Sequence, residues 1–106
     1  MAREENSIVK AIQTWLALKR IRVWRVNVGC IPNGRGGYRR NISAGFADLI
    51  CCWHGKFVGI EVKTPTGRQQ LTQKLFQAEL EAAGGTYILA RSLADVEAFF
   101  GKAVAG

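Results

Sequence analysis

The apolar positions of this chain recur at helical spacing in three segments. Residues 4 to about 19 predict an amphipathic helix, and its apolar stripe consists of Ile8, Ile12, Trp15 and Leu16. Residues 68 to 83 predict a second helix that ends at Gly84-Gly85, and its inward side chains would be Leu71, Leu75, Phe76 and Leu80. A third helix is expected to follow the capping residue Ser92 and to run to about Phe100.

Four other segments are rich in β-branched and aromatic residues, which is typical of strands. They run from Ile21 to Val28, from Phe46 to Trp53, from Phe57 to Lys63 and from Thr86 to Ala90. Residues 29 to 44 contain four glycines and a proline, which predicts a loop. The resulting order, αβββαβα, has no internal repeat and no linker. Residues 1–106 are therefore expected to form a single α/β domain.

The second and third strands are expected to form a hairpin that brings acidic side chains together. If His54-Gly55 is the two-residue turn, Asp48 lies directly opposite Glu61, with Cβ atoms roughly 4.5–5.5 Å apart. A turn one residue later would place Asp48 opposite Lys63 instead. In both registers the three polar residues share one face, because side chains alternate along a strand. Gly59 falls on the same face and predicts an open floor beside the carboxylates.

Two interpretations of this polar trio are open. Opposed carboxylates repel each other, so a cation is needed to hold them together. Lys63 alone would make the trio a salt-bridge network at the end of the strands, and such ion pairs are common and weak. Lys63 together with a bound metal ion would instead make it a catalytic site.

The second interpretation leads to a definite chemistry. Carboxylate and carbonyl oxygens suit Mg²⁺ or Mn²⁺, which keep several waters and bind phosphate oxygens. Asp48 and Glu61 are therefore predicted metal ligands, and the backbone carbonyl of Val62 is a predicted third. The metal would activate a water for attack on a phosphodiester, and Lys63 would orient that water and offset the developing negative charge.

The composition favours a polyanionic partner. Fifteen basic residues against eight acidic ones give a net charge of +7 and a pI near 9.8, which favours nucleic acid. No apolar run is long enough to span a bilayer, and the first residues lack the pattern of a signal peptide. We therefore expect a cytoplasmic protein that binds nucleic acid and does not bind a membrane.

Several short motifs occur in an order that matches a known family. They include Val23-Trp24-Arg25-Val26-Asn27, Gly45 to Asp48, Glu61-Val62-Lys63, Ala83-Gly84-Gly85 and Tyr87 to Val96. Their order and spacing resemble the virus-type replication-repair nuclease (VRR-NUC) domain, a branch of the restriction-endonuclease-like PD-(D/E)xK superfamily. The similarity covers nearly the whole chain and implies a mixed central sheet flanked by helices. One departure is Ala47, which stands where the name of the superfamily has proline.

The resemblance gives the two carboxylates the role of metal ligands and makes Lys63 the catalytic lysine. It adds Glu5 from the first helix, which would approach the metal through water, with Glu4 as the alternative acid at this place. It also adds Gln73, which would complete the site from the helix that follows the hairpin. The resemblance also implies an enzyme of phage or bacterial replication and repair that acts as a homodimer, with four-way DNA junctions as an expected substrate.

The loop at residues 29 to 44 is the predicted contact with DNA phosphates. Its candidate residues are Arg35, Tyr38, Arg39 and Arg40, because arginine binds phosphate and tyrosine can stack on a base. A solvated surface loop without a ligand is the alternative.

Two functions are thus consistent with the sequence. The first is a Mg²⁺- or Mn²⁺-dependent endodeoxyribonuclease in the cytoplasm of a phage-infected or bacterial cell, acting on branched DNA. The second is a small basic nucleic-acid-binding module without catalysis, in which Asp48, Glu61 and Lys63 form only a salt-bridge network.

Overall fold

The architecture described here is that of a computed structural model, which describes residues 3–26, 30–32, 34–36, 38–40 and 45–105. The helices are α1 (Arg3–Leu18), α2 (Leu71–Ala82) and α3 (Leu93–Ala105). The strands are β1 (Val23–Arg25), β2 (Cys30–Pro32), β3 (Tyr38–Arg40), β4 (Leu49–Trp53), β5 (Lys56–Val62) and β6 (Thr86–Ala90). The predicted mixed α/β arrangement, a central sheet flanked by helices, is confirmed.

The central sheet has four strands in the order β1-β4-β5-β6. β1 pairs with β4 and β4 pairs with β5 in antiparallel fashion, whereas β6 runs parallel to β5. A parallel neighbour requires a crossover connection, and α2 supplies it between β5 and β6. The sheet therefore has β1 and β6 as its edges and β5 near its centre.

The hairpin between β4 and β5 has the predicted turn and register. Trp53 pairs with Lys56 across the turn and Leu49 pairs with Ile60 at the far end. His54 and Gly55 both have positive φ, at 53° and 78°, which is the conformation of a two-residue type I′ turn. The first of the two predicted registers is therefore the observed one.

Alternation along the hairpin directs its apolar residues to one face. That face packs against α1 and α3, and the resulting core includes Val9, Ile12, Leu16, Leu49, Val58, Ile60, Val62, Val96 and Phe100, each at most 1% exposed. Ile8 and Trp15 of the predicted α1 stripe pack at its border. The predicted inward face of the first helix is thus confirmed.

The second helix differs from its prediction in both length and orientation. It begins at Leu71 instead of residue 68, because Gln70 has an extended backbone (φ −78°, ψ 161°) and is the N-cap. Leu71 and Leu75 were expected to point inward but are 71% and 55% exposed. Phe76 and Leu80, on the opposite side of the helix, face the sheet.

The predicted loop at residues 29 to 44 contains regular structure. Cys30–Pro32 and Tyr38–Arg40 form a second, two-stranded antiparallel sheet, in which Ile31 pairs with Arg39. Between them Gly34 and Gly36 have positive φ, at 77° and 81°. The prediction of a loop without secondary structure was therefore wrong for these two segments. No described helix is both long enough and apolar enough to cross a membrane.

Candidate active site

Asp48 immediately precedes β4 and is hydrogen-bonded to β5 and to the residue that follows β1. The register of β4 and β5, continued by one residue, places Asp48 opposite Glu61. The Oδ2 atom of Asp48 accepts a hydrogen bond from the Val62 backbone N–H at 2.8 Å. Its backbone carbonyl accepts a second one from the Val26 N–H, also at 2.8 Å. These bonds fix the carboxylate beside the end of β5.

Glu61 is buried, with only 3% of its surface exposed, and it is the one charged residue in the described part of the chain that is buried. Its Oε2 atom accepts a hydrogen bond from Gln73 Nε2 at 3.0 Å and lies 4.0 Å from Lys63 Nζ. Its Oε1 atom has no hydrogen-bond partner. An unpaired buried carboxylate oxygen is costly, so the geometry suits a proton or a cation at this atom.

The electrostatics of the pair agree with this geometry. Burial raises the pKa of the Glu61 carboxyl to about 9, and Asp48 contributes to the increase through its charge and as an acceptor for the hydrogen bond that protonated Glu61 can donate. Lys63 lowers this pKa, and Glu5 raises it slightly. The single lysine therefore does not compensate for the burial and the neighbouring carboxylates, and metal-free Glu61 holds a proton at neutral pH.

Gln73 connects the start of α2 to the buried carboxylate. Its side-chain Oε1 accepts a hydrogen bond from the Gln70 backbone N–H at 2.8 Å, which leaves Nε2 directed at Glu61. The amide is therefore held from both ends, and it fixes the orientation of the Glu61 carboxyl group. The sequence alone indicated Gln73 only through the family resemblance, because a glutamine in a helix carries no chemical signal of its own.

The remaining predicted site residues lie at different distances from this centre. Glu5, in the first turn of α1, is close enough to Glu61 to raise its pKa, whereas Glu4 is exposed. The N–H and C=O of one strand residue point to the same side. The Val62 carbonyl therefore faces the edge of β5 on which Asp48 lies. The structure thus brings together Asp48, Glu61, Lys63 and Gln73, with Glu5 nearby.

Metal binding by these residues stays a prediction. Within the described ranges, no group of three or more histidine, cysteine, aspartate or glutamate side chains could hold a metal ion. A site here would therefore consist of two carboxylates and a backbone carbonyl. Mg²⁺ is commonly bound by only one or two carboxylates, with waters and phosphate oxygens as its other ligands, so this donor set fits it.

The floor beside the carboxylates is closed, which corrects the prediction from Gly59. A Cβ atom at this position would lie 3.2 Å from Ala47 Cβ and 3.3 Å from Leu80 Cδ2. The absence of a side chain is what lets α2 pack directly on β5. The same helix carries Gln73, which donates to Glu61.

Arg91 is a residue near the site that the sequence did not indicate. Its Nη1 atom donates to the carbonyls of Thr64 at 2.7 Å and Gly67 at 2.6 Å, and more weakly to that of Pro65 at 3.3 Å. These bonds anchor the segment that joins Lys63 to α2. An arginine after a strand has no distinctive spacing, so only the fold reveals this contact.

Gly45 allows the segment before Asp48 to approach α2. Its φ is +87°, and a Cβ atom at this position would overlap the carbonyl oxygen of Thr72. Gly45→Ala should therefore lower the free energy of unfolding by about 3 kcal/mol, through strain and overlap together. Gly84→Ala is the matched control, since Gly84 has a φ of +93° with nothing within 4 Å, and should cost only about 1 kcal/mol. Equal losses in urea denaturation would show that the contact with α2 is unimportant.

The predicted DNA-contacting residues are only partly described. Arg35 is exposed on the connection between β2 and β3. Tyr38, Arg39 and Arg40 form β3, and their side chains lie outside what the structure describes. Their contact with phosphate therefore stays a prediction.

Comparisons with known proteins leave the family open. A scan against protein-family models and a search of curated proteins both found no match.

Proposed function

We propose that this protein is a metal-dependent endodeoxyribonuclease with a restriction-endonuclease-like PD-(D/E)xK fold. The observation that carries the proposal is the buried Glu61 beside Asp48, with an unpaired oxygen and too little compensating positive charge. In a salt-bridge network, neighbouring basic side chains would neutralise the charges of Asp48 and Glu61. In a metal site, the bound cation supplies that positive charge, and the two carboxylates lack it in the protein alone.

Each side chain of the site has a role in this proposal. Asp48 and Glu61 would hold Mg²⁺ or Mn²⁺ together with the Val62 carbonyl. The bound ion would polarise the phosphate and lower the pKa of a coordinated water. Gln73 donates to one oxygen of Glu61, and the other oxygen, which has no partner, would bind the ion. Lys63, whose Nζ lies 4.0 Å from Glu61, would orient the attacking water and offset negative charge.

The substrate proposed is DNA, with branched structures first. The net charge of +7 favours a polyanion, and the family resemblance favours four-way junctions and two copies of the chain that make paired cuts in the cytoplasm. The test is incubation of end-labelled junction, flap and linear duplex with Mg²⁺, Mn²⁺ or a chelator. Metal-dependent cleavage, strongest on the junction, is expected. Equal cleavage in the chelator would exclude a metal-dependent enzyme.

A basic binding module without catalysis is the alternative. It is favoured by the proximity of Lys63 to Glu61 and by the absence, among the described residues, of a three-ligand acidic or histidine cluster. It predicts binding of the same DNAs without cleavage in any metal. The two proposals therefore differ in the first experiment.

Both proposals give the basic segment at β3 a role in binding phosphate. Changing Arg39 and Arg40 together to alanine should weaken binding to a DNA duplex. The slope of log affinity against log salt concentration should fall by about two, because each lost phosphate contact removes about one. Fluorescence anisotropy at several salt concentrations measures this slope, and an unchanged slope would mean that neither arginine contacts phosphate.

A further inference from the structure

The outward side of α2 carries an apolar row that the fold itself does not bury. Its members are Leu71, Leu75, Ala78 and Ala82, all of them exposed, and we refer to these four residues as the α2 seam. Successive members are four, three and four residues apart, which is the spacing by which one helix packs along another. The other side of α2 already packs on the sheet through Phe76 and Leu80.

The sizes of the seam residues favour one orientation of a partner helix. The two leucines lie in the first half of α2 and the two alanines in the second half. If a second α2 packs antiparallel, Leu71 lies opposite Ala82 of the second copy and Leu75 lies opposite Ala78. Each large side chain then meets a small one, whereas a parallel pair would place leucine on leucine and alanine on alanine, with a gap at one end.

The charges beside the seam agree with the same orientation. Lys74 and Glu81 are one heptad apart and therefore lie on the same flank of α2. In an antiparallel pair this flank meets its own copy, so that Lys74 lies beside Glu81 of the second chain. The two-fold symmetry of such a pair repeats the contact.

We propose that the α2 seam is a self-association surface, on which a second copy of this chain docks with its α2 antiparallel. The inference stands independently of the nuclease activity, since it depends only on the outward side of α2. Gln73 and Phe76 keep their contacts with the site and the sheet in such a dimer, because they lie on the opposite side of the helix.

Sedimentation velocity over a range of protein concentrations tests the surface. The wild type should shift from monomer to dimer as its concentration rises, whereas Leu75→Glu should raise the dissociation constant by more than ~10-fold. Leu18→Glu is the matched control, because Leu18 is 77% exposed on α1 but lies outside the seam, and it should dimerise as the wild type does. A wild type that stays monomeric, or an equal loss in Leu18→Glu, would overturn the proposal. At low protein concentration, where both proteins are monomeric, Leu75→Glu should have the same melting temperature as the wild type, because Leu75 is exposed in the monomer.

Charge reversal tests the orientation. Lys74→Glu and Glu81→Lys should each weaken the dimer several-fold at low salt, by roughly the small amounts typical of exposed ion pairs. The two changes together should restore it, because the opposite charges meet again in reversed positions. In a parallel pair Lys74 would instead meet Glu79 of the second copy. If the double variant Lys74→Glu with Glu79→Lys recovers the wild-type dissociation constant, and Lys74→Glu with Glu81→Lys does not, the antiparallel arrangement is overturned.

Discussion

Asp48→Asn should reduce the rate of DNA cleavage at least ~1,000-fold and leave the metal-free protein at least as stable as the wild type. The amide keeps an oxygen that can accept the Val62 N–H bond, so the hairpin loses no contact. It also removes the negative charge that helps to raise the pKa of Glu61, so keeping a proton on Glu61 at neutral pH costs less and the folded state gains stability. Cleavage falls because a neutral amide is a poor ligand for Mg²⁺ and cannot balance its charge.

The control for this variant is Asp95→Asn. Asp95 also accepts a backbone N–H, that of Arg91 at 2.8 Å, but it lies at the start of α3 and is not one of the predicted site residues. Its amide variant should cleave DNA within a few-fold of the wild-type rate. Initial rates and melting curves separate the two effects. If Asp48→Asn loses several degrees of melting temperature and both variants cleave equally, Asp48 is a structural residue.

Glu61→Gln should have the largest effect on stability, and the effect should depend on pH. The folded-state pKa of Glu61 is raised from 4.5 to about 9, so the folded protein keeps a proton that the unfolded chain has released. The wild type therefore loses stability as the pH rises from about 5 to 9, by at most ~1.4 kcal/mol per pH unit. Glutamine does not titrate, so its advantage should grow over this range to the order of several kcal/mol.

The geometry of the glutamine also favours a stable variant. Its carbonyl oxygen can accept the Gln73 bond, while its amide nitrogen can donate to Asp48 in place of the proton that Glu61 carries. Urea unfolding of both proteins in a chelator, at pH 5, 7 and 9, measures the difference. A difference that is constant with pH would mean that Glu61 titrates normally in the folded protein, and the description of the site would then be wrong.

The hairpin could be predicted from the sequence because two local signals agree there. The apolar alternation indicates which face of each strand is packed, and His54-Gly55 marks the turn of the observed register, although a turn one residue later was also open. A shift by one residue would have exposed every apolar side chain of the core face. The meeting of the two carboxylates followed from this register alone.

The orientation of α2 could not be predicted in the same way. Leu71 and Leu75 on one side and Phe76 and Leu80 on the other give the helix two apolar faces, and the pattern does not say which one meets the sheet. The choice depends on Gly59, whose missing side chain creates the space that Leu80 and Phe76 fill. Burial is also the first cause of the raised pKa of Glu61, and the strand pattern does not specify how deeply this side chain is buried.

The small sheet of β2 and β3 was missed for another reason. Its strands have three residues each, one of them ends in a proline, and glycines with positive φ join them. Such short segments lack the alternation by which longer strands are identified. Arg91 was missed because its partners are three backbone carbonyls, which no sequence motif specifies.

The central claim is that Asp48 and Glu61 together bind a divalent cation, and thermal unfolding in the presence of Mn²⁺ tests it most directly. A ligand that binds only the folded state stabilises it, and once the ligand concentration exceeds the dissociation constant, the stabilisation grows with the logarithm of that concentration. The melting temperature of the wild type should rise with Mn²⁺ up to about 10 mM, whereas that of Asp48→Asn should not change. Equal shifts in both proteins, or none in the wild type, would contradict the claim.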